Sequence, residues 1–277
     1  MRVLVTGGNG RIGSAAALAF AREGHEVRSL DLALPAERLT GVEHRVGSVV
    51  DMGDVVGAML GWGVEAVVHM AAWTNSGIAS EARTYAENAA GAFNVATAAA
   101  GMGARRIILG SSAQVYGFEA LDPVRVPVDE DHPLRPLNAY ALSKAAAEQV
   151  GAFVAARTGA TVVSLRIMGA RLAAQMPGEV ERLRAAPDGG RFLLWTRVDA
   201  RDVAEACLRA ATAPDVPSGA YNVTGVRILL DAPTREVLAR HCPGLDLSAV
   251  PDGHASPMSC ARAAAAFGYA PRHPVPT

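Results

Sequence analysis

Tyr140 and Lys144 stand four residues apart in the helical pattern AYALSKAAAEQV, so they share one helix face. A neighbouring ammonium group favours phenolate and lowers the pKa of a tyrosine from about 10 toward the working pH. Upstream, the segment GSSAQVYG follows a strand pattern, and Ser112 within it could donate to the same substrate oxygen. Hydride transfer from a carbinol requires this set of a base, a donor and a cation. A Tyr-x-x-x-Lys pair by itself is usually two solvent-exposed side chains without a catalytic role, so a catalytic assignment needs the support of other motifs.

A glycine-rich turn near the start of the chain predicts a dinucleotide site. Residues 3–13 read VLVTGGNGRIG, and an apolar helical pattern continues over residues 14–21. Glycines such as Gly7, Gly10 and Gly13 let a pyrophosphate approach the backbone, and the following helix N-terminus offers unpaired N–H groups. Glycine-rich turns are commonly structural, but the position between a strand pattern and a helix pattern favours the dinucleotide.

Asp31 ends the second strand pattern, 18 residues beyond Gly13. A dinucleotide-binding unit places there the acid that accepts hydrogen bonds from the adenosine ribose hydroxyls. A carboxylate repels a 2′-phosphate, so the sequence favours NAD over NADP. Arg11 and Arg28 lie close to Asp31 in sequence and leave NADP open as an alternative cofactor. Asp31 could also be a solvent-exposed turn residue without a binding role.

Strand and helix patterns alternate along the chain and predict an α/β fold. Strand-like runs occur at 2–6, 26–31, 43–46, 66–69, 106–110, 161–166 and 220–223, with helical patterns at 13–22, 83–101, 139–158 and 202–213. The strands are almost wholly apolar, as burial on both faces of a sheet requires. We therefore expect a doubly wound parallel sheet, the Rossmann fold, with a small C-terminal substrate-binding cap.

The domain organisation follows from where this alternation weakens. Residues 1–166 form the predicted NAD-binding Rossmann domain, and residues 198–224 return to it. Prolines and glycines interrupt the pattern in between. Residues 167–197 and 225–277 are expected to fold together as the cap over the carboxyl edge of the sheet, where open α/β sheets bind ligands.

Composition excludes several function classes. The chain has 277 residues and a net charge of −1, so neither nucleic acid nor an anionic membrane is an expected partner. Its three cysteines form no CxxC, which argues against a disulfide framework or a metal site and fits a reducing compartment. The sequence starts without a signal-peptide pattern and its apolar runs are too short for a bilayer, so we expect a cytoplasmic protein.

Two helical patterns are rich in small residues, at 85–103 and 139–159. Alanine favours helix, and small residues on several faces also allow helices to approach closely. Packing against the sheet is one explanation. The other is that both helices also form the interface of a homodimer, which we expect.

An ordered set of motifs spans nearly the whole chain. It comprises TGGNGRIG (6–13), Asp31, HMAA (69–72), Asn88, SSAQVYG (111–117), YALSK (140–144), LRIMGA (165–170), VDARDVAEA (198–206) and, loosely, FGYAPRHPV (267–275). This set resembles the extended short-chain dehydrogenase/reductase family, specifically its NAD-dependent epimerase/dehydratase group.

The resemblance implies a role for each matching residue. Tyr140 would be the catalytic base, Lys144 would lower its pKa and bind the nicotinamide ribose, and Ser112 would polarise the reacting oxygen. The cofactor would be lined by Gly7, Gly10, Arg11 and Ile12 at the pyrophosphate, Ala71 at its middle and Ile167 at the nicotinamide. Asn88 would be a structural or proton-relay residue, and His69 would pack in the core.

One segment departs from the family pattern. Ser48 and Val49 follow the third strand pattern and could contact adenine. The family commonly has Gly-Asp-x-x-Asp here, whereas this chain has Gly47-Ser48-Val49-Val50-Asp51. Ser48 thus replaces the aspartate that often holds the adenine amine, which weakens that expected contact.

The residues after Ser112 discriminate between reactions. Members that eliminate water carry an acid pair where this chain has Ala113 and Gln114. Neither side chain can act as acid or base, so dehydration is disfavoured. The segment is similar to the 4-epimerase and plain dehydrogenase branches, and Gln114 could reach a substrate hydroxyl.

The short segment before VDARDV favours a small substrate. Only about thirty residues separate Arg166 from VDARDV. A cap segment this short resembles that of the uronate dehydrogenases, which act on free sugar acids. Arg191 and Trp195 sit roughly where those enzymes carry a carboxylate-binding arginine and a nearby tryptophan. Arginine suits a carboxylate through bidentate hydrogen bonds, although a solvent-exposed loop residue is the simpler interpretation of Arg191.

The leading hypothesis is an NAD-dependent enzyme acting on a carbinol of a sugar or sugar derivative, by epimerisation or net dehydrogenation. Two alternatives remain. One is a reductase or dehydrogenase of a non-sugar alcohol or ketone in secondary metabolism. The other is a non-catalytic regulator that senses NAD, which the presence of Ser112, Tyr140 and Lys144 disfavours.

Overall fold

The computed structural model describes residues 1–74 and 77–273, which carry nine strands and eight α-helices. The strands are β1 (Arg2–Thr6), β2 (Glu26–Asp31), β3 (Val42–Val46), β4 (Ala66–His69), β5 (Arg106–Ser112), β6 (Thr161–Ile167), β7 (Ala170–Arg171), β8 (Val198–Asp199) and β9 (Gly219–Val223). The helices are α1 (Arg11–Arg22), α2 (Met52–Met59), α3 (Glu81–Gly101), α4 (Ala139–Thr158), α5 (Met176–Ala185), α6 (Ala200–Thr212), α7 (Thr234–His241) and α8 (Ala261–Phe267).

Seven of the strands form one parallel sheet in the order β3-β2-β1-β4-β5-β6-β9. The sheet is covered on both faces. In β1, Val3 and Val5 pack in a cluster with residues of α1 and α6, while Leu4 packs with residues of α2 and α3. Burial on two faces explains why the strands are apolar throughout rather than alternating. This confirms the predicted doubly wound α/β fold.

The strand order reverses between β1 and β4, because the chain builds β2 and β3 on one side of β1 and then crosses to the other. Such a switch point opens a crevice at the carboxyl ends of the strands. The turn after β1, the end of β2 and the segment after β5 all lie at this edge. The topology therefore brings the predicted cofactor and catalytic motifs together.

The remaining elements build a smaller layer around a second hydrophobic cluster. This layer contains α5, the 3₁₀ segment Pro187–Leu193 and α7, and its apolar side chains include Val180, Trp195 and Leu238. The two-residue strands β7 and β8 pair with each other beside it. These elements come from residues 170–199 and 234–241.

The C-terminal helix differs from the expectation that all of 225–277 belongs to the cap. Ala263, Phe267 and Tyr269 are buried in the cluster of the large sheet. The rings of Phe267 and Tyr221 on β9 are 5.2 Å apart. The apolar face of α8 therefore belongs with the sheet. Residues 274–275 of the FGYAPRHPV motif lie outside the described residues.

Over the described ranges, no helix has the length and apolar character needed to cross a membrane.

Candidate active site

The glycine-rich turn is held closely against the chain that follows β4. Gly7 adopts a left-handed backbone conformation, with φ of 70°, and its N–H donates to Leu30 O at 2.9 Å. A Cβ atom on Gly7 would lie 2.6 Å from the backbone nitrogen of Ala71, and one on Gly13 would collide with the carbonyl oxygen of Gly7. Side chains are therefore excluded from this turn, and the backbone remains open to a ligand.

One cavity, of about 460 Å³, lies over this turn and the ends of β2 and β3. It brings together six of the predicted cofactor residues: Gly7, Gly10, Asp31, Ser48, Val49 and Ala71. The Asp31 carboxylate accepts hydrogen bonds from the backbone N–H groups of Asn9 at 2.9 Å and Leu32 at 2.7 Å. These two bonds fix the carboxylate at the rim of the cavity. Gly13 does not line it, since that glycine lies within α1 and is buried.

Sequence reasoning missed the outer wall of this cavity. Trp73, Arg83 and Glu87 all line it. The Arg83 guanidinium lies 4.8 Å from the centre of the Trp73 ring and donates to Glu87 at 2.7 Å. An aromatic residue shortly after the HMAA motif is the signal that could have indicated this wall.

A second cavity, of about 690 Å³, lies under the cap. It is lined by the predicted residues Arg11, Ile12, Ser112, Gln114, Tyr140, Lys144 and Ile167. Met70 and Ala72 line both cavities, so the two adjoin along the carboxyl edge of the sheet. We call the first the glycine-loop cavity and the second the catalytic cavity.

The catalytic side chains come from the end of β5 and the first turns of α4. Asn138 caps α4, its side-chain oxygen accepting from the backbone N–H of Ala141 at 2.8 Å. Lys144 Nζ lies 5.6 Å from the centre of the Tyr140 ring. The spacing of four residues places both side chains on one face of α4, and both line the catalytic cavity.

The electrostatics of this pair differ in part from the sequence expectation. Burial raises the pKa of Tyr140, and a hydrogen bond with Ser112 opposes this shift. Burial also lowers the pKa of Lys144 to about 8. Desolvation therefore shifts both groups toward their neutral forms and outweighs the expected effect of the lysine on the tyrosine, but a pKa of about 8 still leaves Lys144 mostly protonated at neutral pH.

His69 and Asn88 lie beneath the site. His69 is buried, and its Nδ1 is 2.7 Å from Thr6 Oγ1, while burial lowers its pKa to about 3. A neutral, enclosed imidazole confirms the expectation of a core residue. Asn88 donates to Ser143 Oγ at 3.0 Å and exchanges two hydrogen bonds with the backbone of Trp73, so it ties the chain after β4 to α4.

Three of the predicted substrate residues lie in different surroundings, and only one of them lines the catalytic cavity. Gln114 lines the catalytic cavity, and its Oε1 accepts from Asn138 Nδ2 at 3.3 Å. Ala113 is fully buried in the second hydrophobic cluster. Arg191 forms an ion pair with Asp122 and donates to Phe118 O at 3.1 Å. With these partners, Arg191 is not among the residues that line the catalytic cavity.

Two charged residues that line the catalytic cavity were not predicted from the sequence. Arg171 on β7 and Glu179 on α5 both line it, and they are paired at 3.1 Å. Arg171 directly follows the LRIMGA motif, which could have drawn attention to it. Across residues 1–74 and 77–273, no group of His, Cys, Asp or Glu side chains is arranged to hold a metal ion.

Comparison with known proteins identifies relatives of two activities. Over 169 residues the chain is 32% identical to a UDP-glucose 4-epimerase of Corynebacterium glutamicum, covering 60% of this chain and 50% of that protein. Over 171 residues it is 31% identical to a uronate dehydrogenase of Pseudomonas syringae, covering 60% of this chain and 58% of that protein. The chain thus spans about half the length of the curated relatives it matches.

Solved structures match almost the whole chain. A short-chain dehydrogenase/reductase superfamily protein from Agrobacterium tumefaciens with bound NAD superposes with a TM-score of 0.76 at 25% identity, covering 99% of this chain and 94% of that one. A Thermus thermophilus UDP-glucose 4-epimerase complex with NAD gives 0.72 at 25% identity, covering 98% and 94%. The family described as "NAD dependent epimerase/dehydratase family" matches residues 3–224. With this match the resemblance is confirmed, and the chain belongs to the NAD-dependent epimerase/dehydratase family.

Proposed function

We propose that the protein is an NAD-dependent enzyme that moves a hydride at a secondary alcohol of a sugar or sugar derivative. The observation that carries this proposal is the placement of Ser112, Tyr140 and Lys144 in one cavity that adjoins the glycine-loop cavity. The same edge of the sheet can therefore hold a dinucleotide and a carbinol side by side.

The residues of the glycine-loop cavity fit NAD. The turn excludes side chains at Gly7, so a pyrophosphate can approach its backbone. Asp31 lies at the rim, where its carboxylate can accept from ribose hydroxyls and repel a 2′-phosphate. Bound NAD would supply the hydride acceptor.

The chain's own residues would handle the proton and the oxygen. Tyr140 is the base for the hydroxyl proton, and Ser112 donates a hydrogen bond to the same oxygen. Lys144 supplies a positive charge beside Tyr140 and can bind the nicotinamide ribose, near Ile167. The catalytic cavity gives elimination of water little support, because Ala113 is buried outside it and Gln114 cannot act as an acid.

The assay that tests this proposal supplies NAD with uronic acids, neutral sugars and UDP-sugars. Accumulation of NADH would identify a dehydrogenase, and interconversion of sugars without net NADH would identify an epimerase. The relatives include both kinds, a UDP-glucose 4-epimerase and a uronate dehydrogenase. Absence of both reactions with all three substrate classes would overturn the proposal.

We also infer a homodimer formed through α3 and α4. These helices pack against each other, and their outward faces expose Phe93 and Phe153, each 45% accessible, with ring centres 6.4 Å apart. The neighbouring positions on these faces include several alanines and Leu142, and the Arg157 guanidinium lies 5.7 Å from the centre of the Phe153 ring. A surface on which two aromatic rings are exposed among small side chains suits a second copy of the chain.

We place the reaction in the cytoplasm. Cys207, Cys242 and Cys260, all within the described ranges, are free thiols. Unpaired thiols fit a reducing compartment better than an oxidising one.

A further inference from the structure

Three arginines surround one carboxylate on the cap side of the catalytic cavity. Glu179 accepts hydrogen bonds from Arg171 at 3.1 Å, from Arg182 at 2.9 Å and from Arg197 at 2.7 Å. Burial alone would raise the pKa of Glu179, but these arginines lower it to about 2. The carboxylate is therefore ionised and still leaves an excess of positive charge beside the cavity.

Arg11 adds a further cation to the same cavity. Its Nη1 donates to Ala170 O at 2.9 Å, which is a neutral partner. Burial lowers the pKa of Arg11 and the nearby charge of Arg171 lowers it further, while the Glu179 carboxylate opposes both effects. Arg171 Nη1 donates to the same Ala170 oxygen at 3.1 Å, so the two like charges lie close together and repel each other at the wall of the cavity that both line. An anion between them would remove this repulsion.

Arg197 increases the positive potential from behind. Its side chain is fully buried, and within the described part of the chain its Nη2 has no hydrogen-bond partner. Its stem packs under Gly169, where a Cβ atom would lie 2.8 Å from Arg197 Cδ. Gly169 itself lines the catalytic cavity, so this buried charge lies directly behind the cavity wall.

The charged residues that line the catalytic cavity are Arg11, Lys144, Arg171 and Glu179. Lys144 belongs to the catalytic set, and the charge of Glu179 is already neutralised by the three arginines that donate to it. Arg11 donates to a carbonyl, and Arg171 divides its donors between that carbonyl and Glu179, so each retains N–H groups for a ligand. We propose that these two arginines bind an anionic group, a carboxylate or a phosphate, carried by the sugar substrate. This proposal rests on the proposed function, because it requires that the cavity accept a sugar.

The position of Arg171 favours the substrate over the cofactor as the source of the anion. Gly7, Gly10 and Asp31 line the glycine-loop cavity, whereas Arg171 lines only the catalytic one. Its neighbours there include Phe192 of the cap. Arg11 and Ile12, which the resemblance places at the pyrophosphate, also line the catalytic cavity, so Arg171, beside the cap, is the arginine that distinguishes a substrate anion from the cofactor.

The experiment measures binding by calorimetry to the protein loaded with NAD. The probes are D-glucuronate, D-glucose 1-phosphate and, as the neutral reference, D-glucose. We expect at least one charged sugar to bind more tightly than glucose. Arg171→Gln should weaken that binding about ten- to a hundredfold, the range of a hydrogen bond to a charged group. Arg11→Gln should act in the same direction.

Arg182→Gln is the matched control. It also removes a guanidinium from Glu179, but Arg182 is half-exposed and does not line the cavity. We expect it to leave the affinity for the charged sugar within about twofold of the wild type.

Two results would overturn the proposal. One is that neither charged sugar binds more tightly than glucose, or that Arg171→Gln leaves its affinity unchanged. The other is that Arg171→Gln weakens NAD binding, which would assign the arginines to the cofactor's pyrophosphate. Neither result bears on the proposed hydride transfer, because the turnover assay and the Tyr140→Phe variant test that reaction separately.

Discussion

The Glu148 carboxylate accepts hydrogen bonds from Arg166 at 2.9 and 2.8 Å, and both side chains are almost completely buried. Ser111 donates to the same carboxylate at 2.6 Å. Glu148 lies one helical turn beyond Lys144, and Ser111 directly precedes Ser112. The pair therefore joins β5, β6 and α4 behind the catalytic side chains.

Breaking this pair should destabilise the protein strongly. Arg166→Leu leaves Glu148 as a buried, unpaired charge, so we expect a loss of about 3–5 kcal/mol in the free energy of unfolding. Urea denaturation measures it. Arg125→Leu is the control, since Arg125 and Asp129 are each 43% exposed, and its cost should stay under about 1 kcal/mol. Equal effects of both variants would show that the buried pair does not hold the three elements together.

Tyr140→Phe should remove turnover and retain NAD binding. A positioned base contributes typically about 10²–10⁴-fold, so kcat should fall by at least about a hundredfold. In the wild type, kcat/KM for oxidation should rise with pH and not level off below about pH 10, the ordinary pKa of a tyrosine, because burial raises the pKa of Tyr140. Tyr85→Phe, on the exposed face of α3, is the control. Retention of most activity in Tyr140→Phe would exclude Tyr140 as the base.

Asp31→Asn should weaken the preference for NAD over NADP. The amide removes the negative charge at the rim of the glycine-loop cavity and with it the repulsion of a 2′-phosphate. We expect the ratio of NAD to NADP affinities to fall about tenfold or more, measured by fluorescence titration of both cofactors. Glu43→Gln, on the adjacent strand β3 and outside the cavity, should leave the ratio unchanged. An unaltered ratio in Asp31→Asn would remove Asp31 from the ribose site.

The residues that sequence reasoning located are those fixed by local pattern. β1 is apolar because both its faces are buried, and Asp31 follows directly from the end of β2. The spacing of Tyr140 and Lys144 needs only the pitch of one helix. These residues belong to family motifs that follow successive parallel strands. Because the carboxyl ends of those strands share one edge of the sheet, the order of the motifs along the chain is enough to place them there.

The cap residues were harder to predict because they depend on distant contacts. Arg191 was placed in the substrate site by its distance from VDARDV, yet Asp122, 69 residues away, holds it elsewhere. Leu194 and Trp195 both adopt left-handed backbone conformations, φ 45° and 56°, without a glycine to mark the turn. That turn determines where Phe192 and Leu193 enter the cavity. Nothing local signals that Arg171 and Glu179 meet there.

Glu179 should make stability depend on acid pH. A glutamate in an unfolded chain titrates near about 4.3, whereas the pKa of Glu179 in the folded protein is lowered to about 2. Its ionised form therefore stabilises the fold fully above the unfolded pKa, and this contribution is lost as the pH falls through about 2.

Glu179→Gln tests this dependence. The variant should be less stable than the wild type by about 3–5 kcal/mol at neutral pH, because Arg197 is left buried without its carboxylate. The difference should shrink toward about pH 2. Urea denaturation at several pH values measures it, with Glu181→Gln, exposed on the same helix, as the control. A difference that is constant with pH would contradict an ionised Glu179.

Phe93→Arg should convert the proposed dimer into monomers. A charge on the outward face of α3, introduced into each of two symmetry-related copies, would place like charges in a buried interface. Light scattering after gel filtration should give twice the chain mass of 28.7 kDa for the wild type and 28.7 kDa for the variant. Leu60→Arg is the control, because Leu60 is 68% exposed at the end of α2 and lies away from this face. A wild-type protein that elutes as a monomer, or a Phe93→Arg variant that remains a dimer, would exclude the α3 and α4 face as the interface.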